Sequence, residues 1–188
     1  AASVWGMNDV THLGIYDIPM MSNIPNLVYL APTTYEEYIA MLDWSTEQRE
    51  HPVAIRVPGA VIHGEKPTKD YGILNKYETV QKGSGAAIIA LGTFFSMGKQ
   101  AAELIEKKTG VKPTLINPVY ITGIDEELLE SLKKDHKAVV TLEDGILDGG
   151  FGEKIARFYG DSDMRTVNFG LKKEFLDRYD ANEVLRQN

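Results

Sequence analysis

The chain contains no cysteine. Disulfides, thiolate catalysis and Cys-ligated zinc are therefore excluded, and the composition suits a reducing compartment, so the expected location is the cytoplasm. Basic residues are scarce at one end. The first lysine is Lys66, and residues 1–60 carry only Arg49 and Arg56 against seven acidic residues. Lysine is among the residues most reluctant to be buried, so so long a stretch without it predicts a segment with little free surface. No apolar run approaches the ~20 residues of a membrane span, and no basic-then-apolar leader opens the chain, so no membrane partner is expected. Over all 188 residues the 20 Lys and Arg are outnumbered by 27 Asp and Glu, a net charge of −7. Such a chain lacks the broad positive field of a nucleic-acid binder.

Hydrophobic residues make up 43% of the chain, enough for a real core. Four of the six methionines, a residue type that fills cores and interfaces, fall within the first 41 positions. Residues 1–60 therefore read as part of a larger buried unit. The Gly- and Pro-rich stretch Pro58–Gly72 (PGAVIHGEKPTKDYG) reads as a linker.

Strands and helices alternate along the sequence. LVYL (residues 27–30) reads as a buried strand. Thr33 opens a helix with a capping box closed by Glu36, and Tyr35, Tyr38, Ile39 and Leu42 form its inward stripe. VAIRV (53–57) is a second short strand. Residues 76–81 and 86–91 flank KGSG, which reads as a hairpin loop; AAIIAL in the second of them has no polar alternation and should be covered on both faces. A helix follows with Met97, Ala101, Leu104 and Ile105 on one side and Gly110 as its stop. Strands at 114–116, 138–142 and 166–169 alternate with helices at 125–134 and 152–159, and a last helix starts at Asp180. This order predicts an α/β fold: a five-stranded, mostly parallel sheet in residues 72–188, flanked by helices, with its first strand antiparallel at an edge.

Most motif candidates fail on spacing. GTFFSMGKQ (92–100) has one residue too many for a phosphate loop and Gln100 where a hydroxyl should hold magnesium. DGGFG (148–152) opens a helix whose amides could hold an anion, though a tight turn or close backbone packing explains the glycines. DSD (161–163) reads as a charged loop. His51, His63 and His136 have no partners at ligand spacing, so no metal site is expected. His12 differs: it lies in NDVTHLGIYDI, at a loop-to-helix junction where an imidazole can reach into a cleft and titrate near neutrality.

The stretch DVTHLGIYDIPMMSNIPNLVYLAPTTYEE resembles the closing part of the pyrimidine-binding domain of 1-deoxy-D-xylulose-5-phosphate synthases, thiamine-diphosphate enzymes related to transketolases. The likeness runs through Thr11, His12, Gly14, Asp17, the Ile24–Pro25 pair and Ala31–Pro32–Thr33. HKAVVTLEDGILDGGFGEKI (136–155) and TVNFGLKKEFLDRYD (166–180) resemble two further blocks of that family, in the same order. The resemblance implies a pyrimidine-domain tail in residues 1–60, a linker at 61–71 and a transketolase-type C-terminal domain at 72–188.

It also implies roles. His12 takes the place of the family's proton-handling histidine. Asn8, in place of an Asp, together with Asp9 and Arg56 falls at substrate-binding positions. Gly59 and Val119 stand where the family carries arginines, and Gly123 where it carries proline. Gly cannot supply the bidentate charged phosphate ligand that an arginine does. The implied parent activity is decarboxylation of pyruvate and two-carbon transfer to an aldose phosphate, with thiamine diphosphate and magnesium as cofactors. No diphosphate motif, G-D-G followed by Asn, occurs in these residues, so these 188 residues alone are expected to bind no cofactor and show no activity. Expected partners are the remainder of the parent chain, a second copy in a homodimer and small-molecule substrates. The alternatives are another transketolase-like or ketoacid-dehydrogenase β-type subunit, and a non-catalytic dimerisation or regulatory module.

Overall fold

AAIIAL offers no polar face to solvent, and in the computed structural model, which describes residues 2–5, 9–57 and 61–188, it lies at the centre of a sheet. Strands β1 (Val28–Leu30) and β2 (Val53–Ile55) pair in parallel with each other. Strands β3 (Glu78–Gln81), β4 (Gly85–Ala90), β5 (Thr114–Asn117), β6 (His136–Ile146) and β7 (Arg165–Leu171) form the main sheet in the order β3-β5-β4-β6-β7. All its pairs are parallel except β3 with β5, so the antiparallel edge strand is where the sequence placed it.

KGSG is not a hairpin. β5 lies between β3 and β4, and β3 pairs with β5 alone. A hairpin would have used one edge of β4, yet an all-apolar strand is best buried between two parallel neighbours, and both its edges are taken by β5 and β6.

Alternation along β4 divides the core. Ala87 and Ile89 face a cluster with Ile116, Val139, Phe151, Ile155 and Tyr159, while Ile88 and Ala90 face Phe94, Ala102, Leu115 and Leu142. Helices α4 (Glu126–Leu132) and α5 (Phe151–Tyr159) cover the first face, and α3 (Phe95–Thr109) covers the second. Gly110, with φ of 72°, ends α3 in the left-handed conformation that its missing Cβ permits. No helix among the described residues is long and apolar enough to cross a membrane.

The N-terminal part adds α1 (Asp17–Met21) and α2 (Tyr35–Glu47). Two sequence expectations shift here by one residue. The cap of α2 is Thr34, whose hydroxyl accepts from the Glu37 amide at 3.1 Å, while the Glu37 carboxylate accepts from the Thr33 amide at 2.7 Å and its hydroxyl at 2.9 Å. Glu36 instead meets His63 and the Gly64 amide. The inward face is accordingly Glu37 and Met41, with Ala40 and Trp44 beside them; Tyr35 and Leu42 are exposed. Glu37 is buried because its other oxygen takes the Asn117 side-chain amide at the end of β5, and burial raises its pKa.

The N-terminal segment does not build a core of its own. Ile18, Leu27, Tyr29 and Ala31 join the cluster formed by β4, β5 and β6, and Leu30 bridges to Tyr120. Residues 61–70 have no regular structure and are mostly exposed. Tyr71 follows, 3% exposed, its hydroxyl lacking a partner among the described residues. A buried hydroxyl without a partner costs more than it contributes, so Tyr71→Phe is expected to leave stability unchanged or raise it by up to ~1 kcal/mol in urea titrations. A loss larger than that would reveal a hydrogen bond made by the Tyr71 hydroxyl.

Candidate functional site

In an open α/β sheet, ligands are taken in the crevice at the carboxyl ends of the strands, where the strand order reverses. Here the reversal flanks β4: the chain passes to β5 on one side and then to β6 on the other. That crevice is filled by the chain's own N-terminal segment. Ile146 N–H donates to Ile15 C=O at 3.0 Å, and a Cβ added at Gly145 would lie 2.9 Å from Ile18. At the end of β4, Gly92 (φ 53°) leaves Ala31 just enough room.

Arg56 lies at the bottom of this junction. It follows β2, is 5% exposed, and its guanidinium donates from Nε to Asp17 Oδ2 at 2.6 Å, from Nη1 to Asp144 Oδ1, and from Nη2 to the Gly14 and Asp144 carbonyls. Tyr29 donates to Asp17, and Thr93 donates to the second Asp144 oxygen at 2.6 Å. Burial opposes the charge on Arg56, but Asp144 and Asp17 outweigh it and hold the pKa above the ordinary arginine range. Burial, with Asp17 adding to it, raises the Tyr29 hydroxyl pKa as well.

At the position where the resemblance implies a substrate contact, Arg56 faces the interior. Its donors are spent inside the protein, where it ties three separated segments together. It reaches the candidate site only through the backbone, by holding the carbonyl of Gly14, two residues after His12.

His12 ends a short 3-10 turn, Val10–His12, and is exposed. Asp9 caps that turn by accepting from the Thr11 amide at 2.8 Å and also accepts from the Thr11 hydroxyl at 2.6 Å. The same hydroxyl oxygen lies 2.8 Å from His12 Nδ1. A hydroxyl has one proton. With that proton given to Asp9, the oxygen accepts from Nδ1–H, so that in the neutral ring Nε2 is the unprotonated nitrogen. The two hydrogen bonds from Thr11, through its hydroxyl and its amide, lower the Asp9 pKa and keep the chain polarised. Asp9 thus acts through Thr11 and His12. Asn8, expected beside it on the substrate, lies outside the described residues, as does Gly59. Val119, at an arginine place of the family pattern, is fully buried with φ of 62° and offers no charge.

The anion-binding reading of DGGFG is answered from within. Glu143 Oε2 accepts from the Phe151 amide and Oε1 from the Gly152 amide, both at 2.7 Å. A Cβ at Gly150 would lie 2.5 Å from Glu143 Oε2, and one at Gly152 2.5 Å from the Thr141 hydroxyl, so the glycines serve close packing.

Burial pushes the Glu143 carboxyl up to about 7, although both amides and Arg56 favour its charged form. A group whose pKa is raised by folding stabilises fully below its unfolded value near 4.3 and loses that contribution as pH rises through the folded value. Stability is therefore expected to fall by on the order of 3 kcal/mol between about pH 4.3 and about pH 7 and to level off above that. In Glu143→Gln, less stable at low pH because one amide loses its acceptor, that slope should vanish from urea midpoints taken across the range. An unaltered slope would assign the titration elsewhere.

Sequence reasoning missed Asp17, Thr93, Glu143 and Asp144 as partners. The signal was present: two acids close an otherwise apolar strand, and Arg56 is one of two basic residues in the first 60.

Residues 75–187 match the transketolase C-terminal domain family. The chain belongs to that family. Among curated relatives of this transketolase-type chain are the 1-deoxy-D-xylulose-5-phosphate synthases of Clostridium tetani, 31% identical over 98% of the chain, Clostridium perfringens, 37% over 94%, and Polaromonas, 35% over 98%. The chain spans 28–30% of their lengths. Two solved structures share the fold. A split-gene transketolase described as an inactive β4 tetramer superposes with a TM-score of 0.82 at 22% identity, over 97% of this chain and 59% of its own. A transketolase from Pichia stipitis gives 0.73 at 17%, over 99% of this chain and 26% of its own.

Proposed function

We propose that these residues form the end of the pyrimidine-binding domain and the C-terminal domain of a thiamine-diphosphate-dependent transferase of the 1-deoxy-D-xylulose-5-phosphate synthase type. Its parent would decarboxylate pyruvate and pass two carbons to an aldose phosphate. The observation that carries this reading is the exposed Asp9–Thr11–His12 chain, which leaves a basic nitrogen free at the loop matched by those relatives.

The residues present do not fit the cofactor itself. Among the described residues no group of three or more His, Asp or Glu side chains could hold a metal ion, and Arg56 is already matched by the carboxylates of Asp17 and Asp144. What this chain contributes is a proton acceptor and its scaffold. The mostly exposed stretch at 61–70, which ends at buried Tyr71 just before the family match begins at residue 75, supports the proposed division into two units.

The test is an assay of the parent protein with pyruvate and an aldose phosphate, alongside calorimetric titration with thiamine diphosphate and magnesium. The parent is expected to bind the cofactor and release carbon dioxide, and the 188-residue chain to do neither. Saturable binding by the short chain would contradict the assignment of the cofactor site to other residues. A parent that binds no cofactor would favour the non-catalytic module.

A further inference from the structure

We propose that the polar crevice between the ends of β5 and β6 binds a phosphomonoester, with Lys154 and Arg157 holding the phosphate and Asn75 the polar tail. The N-terminal segment fills the centre of the switch-point crevice and leaves an opening of about 540 Å³ beside Ser22 and Asn23, just after α1. Thr122, beyond β5, and Gly149 and Gly150, beyond β6, form its other walls. The carboxyl ends of strands on either side of a switch point are where an open α/β sheet takes its ligands.

Two cations line this opening without a counter-ion. Lys154 and Arg157 stand three residues apart on α5, so they share a face. Among the described residues no carboxylate pairs with either. Lys154 Nζ donates to the Ser22 hydroxyl at 2.8 Å and to the Ile121 carbonyl at 2.6 Å. These bonds position the ammonium and leave one of its three protons uncommitted. Arg157 is exposed. Burial, with Arg157 adding to it, lowers the Lys154 pKa to about 8 against the pull of Glu143. A phosphate bridging the two cations relieves their repulsion and accepts charge-assisted hydrogen bonds from both. The first amides of α5 take no part, because Glu143 already accepts from Phe151 and Gly152. Glu153, the acid in the lining, is engaged by the Gly149 amide at 2.9 Å.

The crevice continues away from the cations. Ser22 and Thr122 also line a second polar pocket of about 270 Å³, which Asn26, His51 and Asn75 help to close. The Asn75 side chain is there because residue 123 is glycine: a Cβ at that position would lie 2.0 Å from Asn75 Oδ1. Gly123 stands where the family pattern carries proline, so this pocket belongs to the chain's departure from that pattern. A carboxamide offers both donors and an acceptor, which suits the hydroxyls of a short polyol. With both cations at the other end, the ligand has one direction in which to lie.

Calorimetric titration of the 188-residue chain with glycerol 3-phosphate, inorganic phosphate and glycerol tests this. It needs neither thiamine diphosphate nor turnover, so its outcome is separate from that of the reaction assay. Glycerol 3-phosphate should bind saturably and roughly tenfold more tightly than phosphate, and glycerol should not bind. Arg157→Glu should weaken both anions by more than roughly tenfold. The same change of charge at exposed Arg186, in Arg186→Glu, should leave both as they were. Asn75→Gly suits the left-handed φ of 60° at that position. It should bring glycerol 3-phosphate down to the affinity of phosphate and leave phosphate unchanged. A chain that binds neither anion, binding of glycerol alone, an equal loss in Arg186→Glu, or a preference that survives Asn75→Gly would each overturn the proposal.

Discussion

Replacing Arg56 by methionine is expected to cost roughly 3–5 kcal/mol of folding stability, because removing one partner of a buried ion pair strands the other. Asp144 is fully buried, and its side chain relies on Arg56 and Thr93. Methionine fills much of the space but supplies none of the donors, so an uncompensated carboxylate remains in the interior. Arg56→Lys is expected to recover little. An ammonium is a point charge and cannot reach Asp17, Asp144 and two carbonyls from one planar fork. The double variant Arg56→Met with Asp144→Leu should regain part of the loss, since replacing both members by apolar groups removes the stranded charge. Urea unfolding of the four proteins decides the matter: if the double variant is no better than the single one, the penalty does not come from Asp144.

His12→Ala in the parent enzyme is expected to lower kcat roughly 10²- to 10⁴-fold with the fold intact, the usual contribution of a positioned acid or base. The substitution is structurally mild because His12 is exposed and its one side-chain bond among the described residues is to its neighbour Thr11. Thr11→Val provides the finer test. It keeps the imidazole but removes the oxygen that fixes Nδ1–H, so a smaller loss of about tenfold is expected, together with a displaced pH profile. Turnover that is unchanged at saturating substrate in His12→Ala would reduce His12 to the end of a 3-10 turn.

The sheet was legible because its signal is composition along a strand. Six residues without a polar position can only be central, and the helices between such strands fix the rest of the order. The pairing of β3 was not legible, since a glycine-containing loop between two strands has the same local chemistry whether it closes a hairpin or crosses over a third strand. The one-residue shifts in α2 have a related origin. TTYEE offers two capping boxes, and the choice between them is made by Asn117, 80 residues away, which gives Glu37 a buried partner.

The candidate site was half legible. His12 stands out by type and neighbours. The commitment of Arg56 to the interior does not, because a lone arginine after a strand reads equally as a ligand for substrate or for Asp144. The β6 strand was read as ending near Leu142, and only its continuation to Ile146 carries Glu143 and Asp144 into the core.

The junction filled by the N-terminal segment sets a problem of timing. Ile15, Ile18, Tyr29 and Arg56 leave the ribosome well before the groups that cover them, which belong to strands made later. Arg56 precedes Asp144 by 88 residues. At 5–20 residues per second the arginine waits roughly 4–18 s for its carboxylate. During that interval Arg56 and the apolar residues that join the sheet's core lack the partners that β6 later brings. A slow codon before β6 is expected to prolong that wait, whereas one placed after it is not.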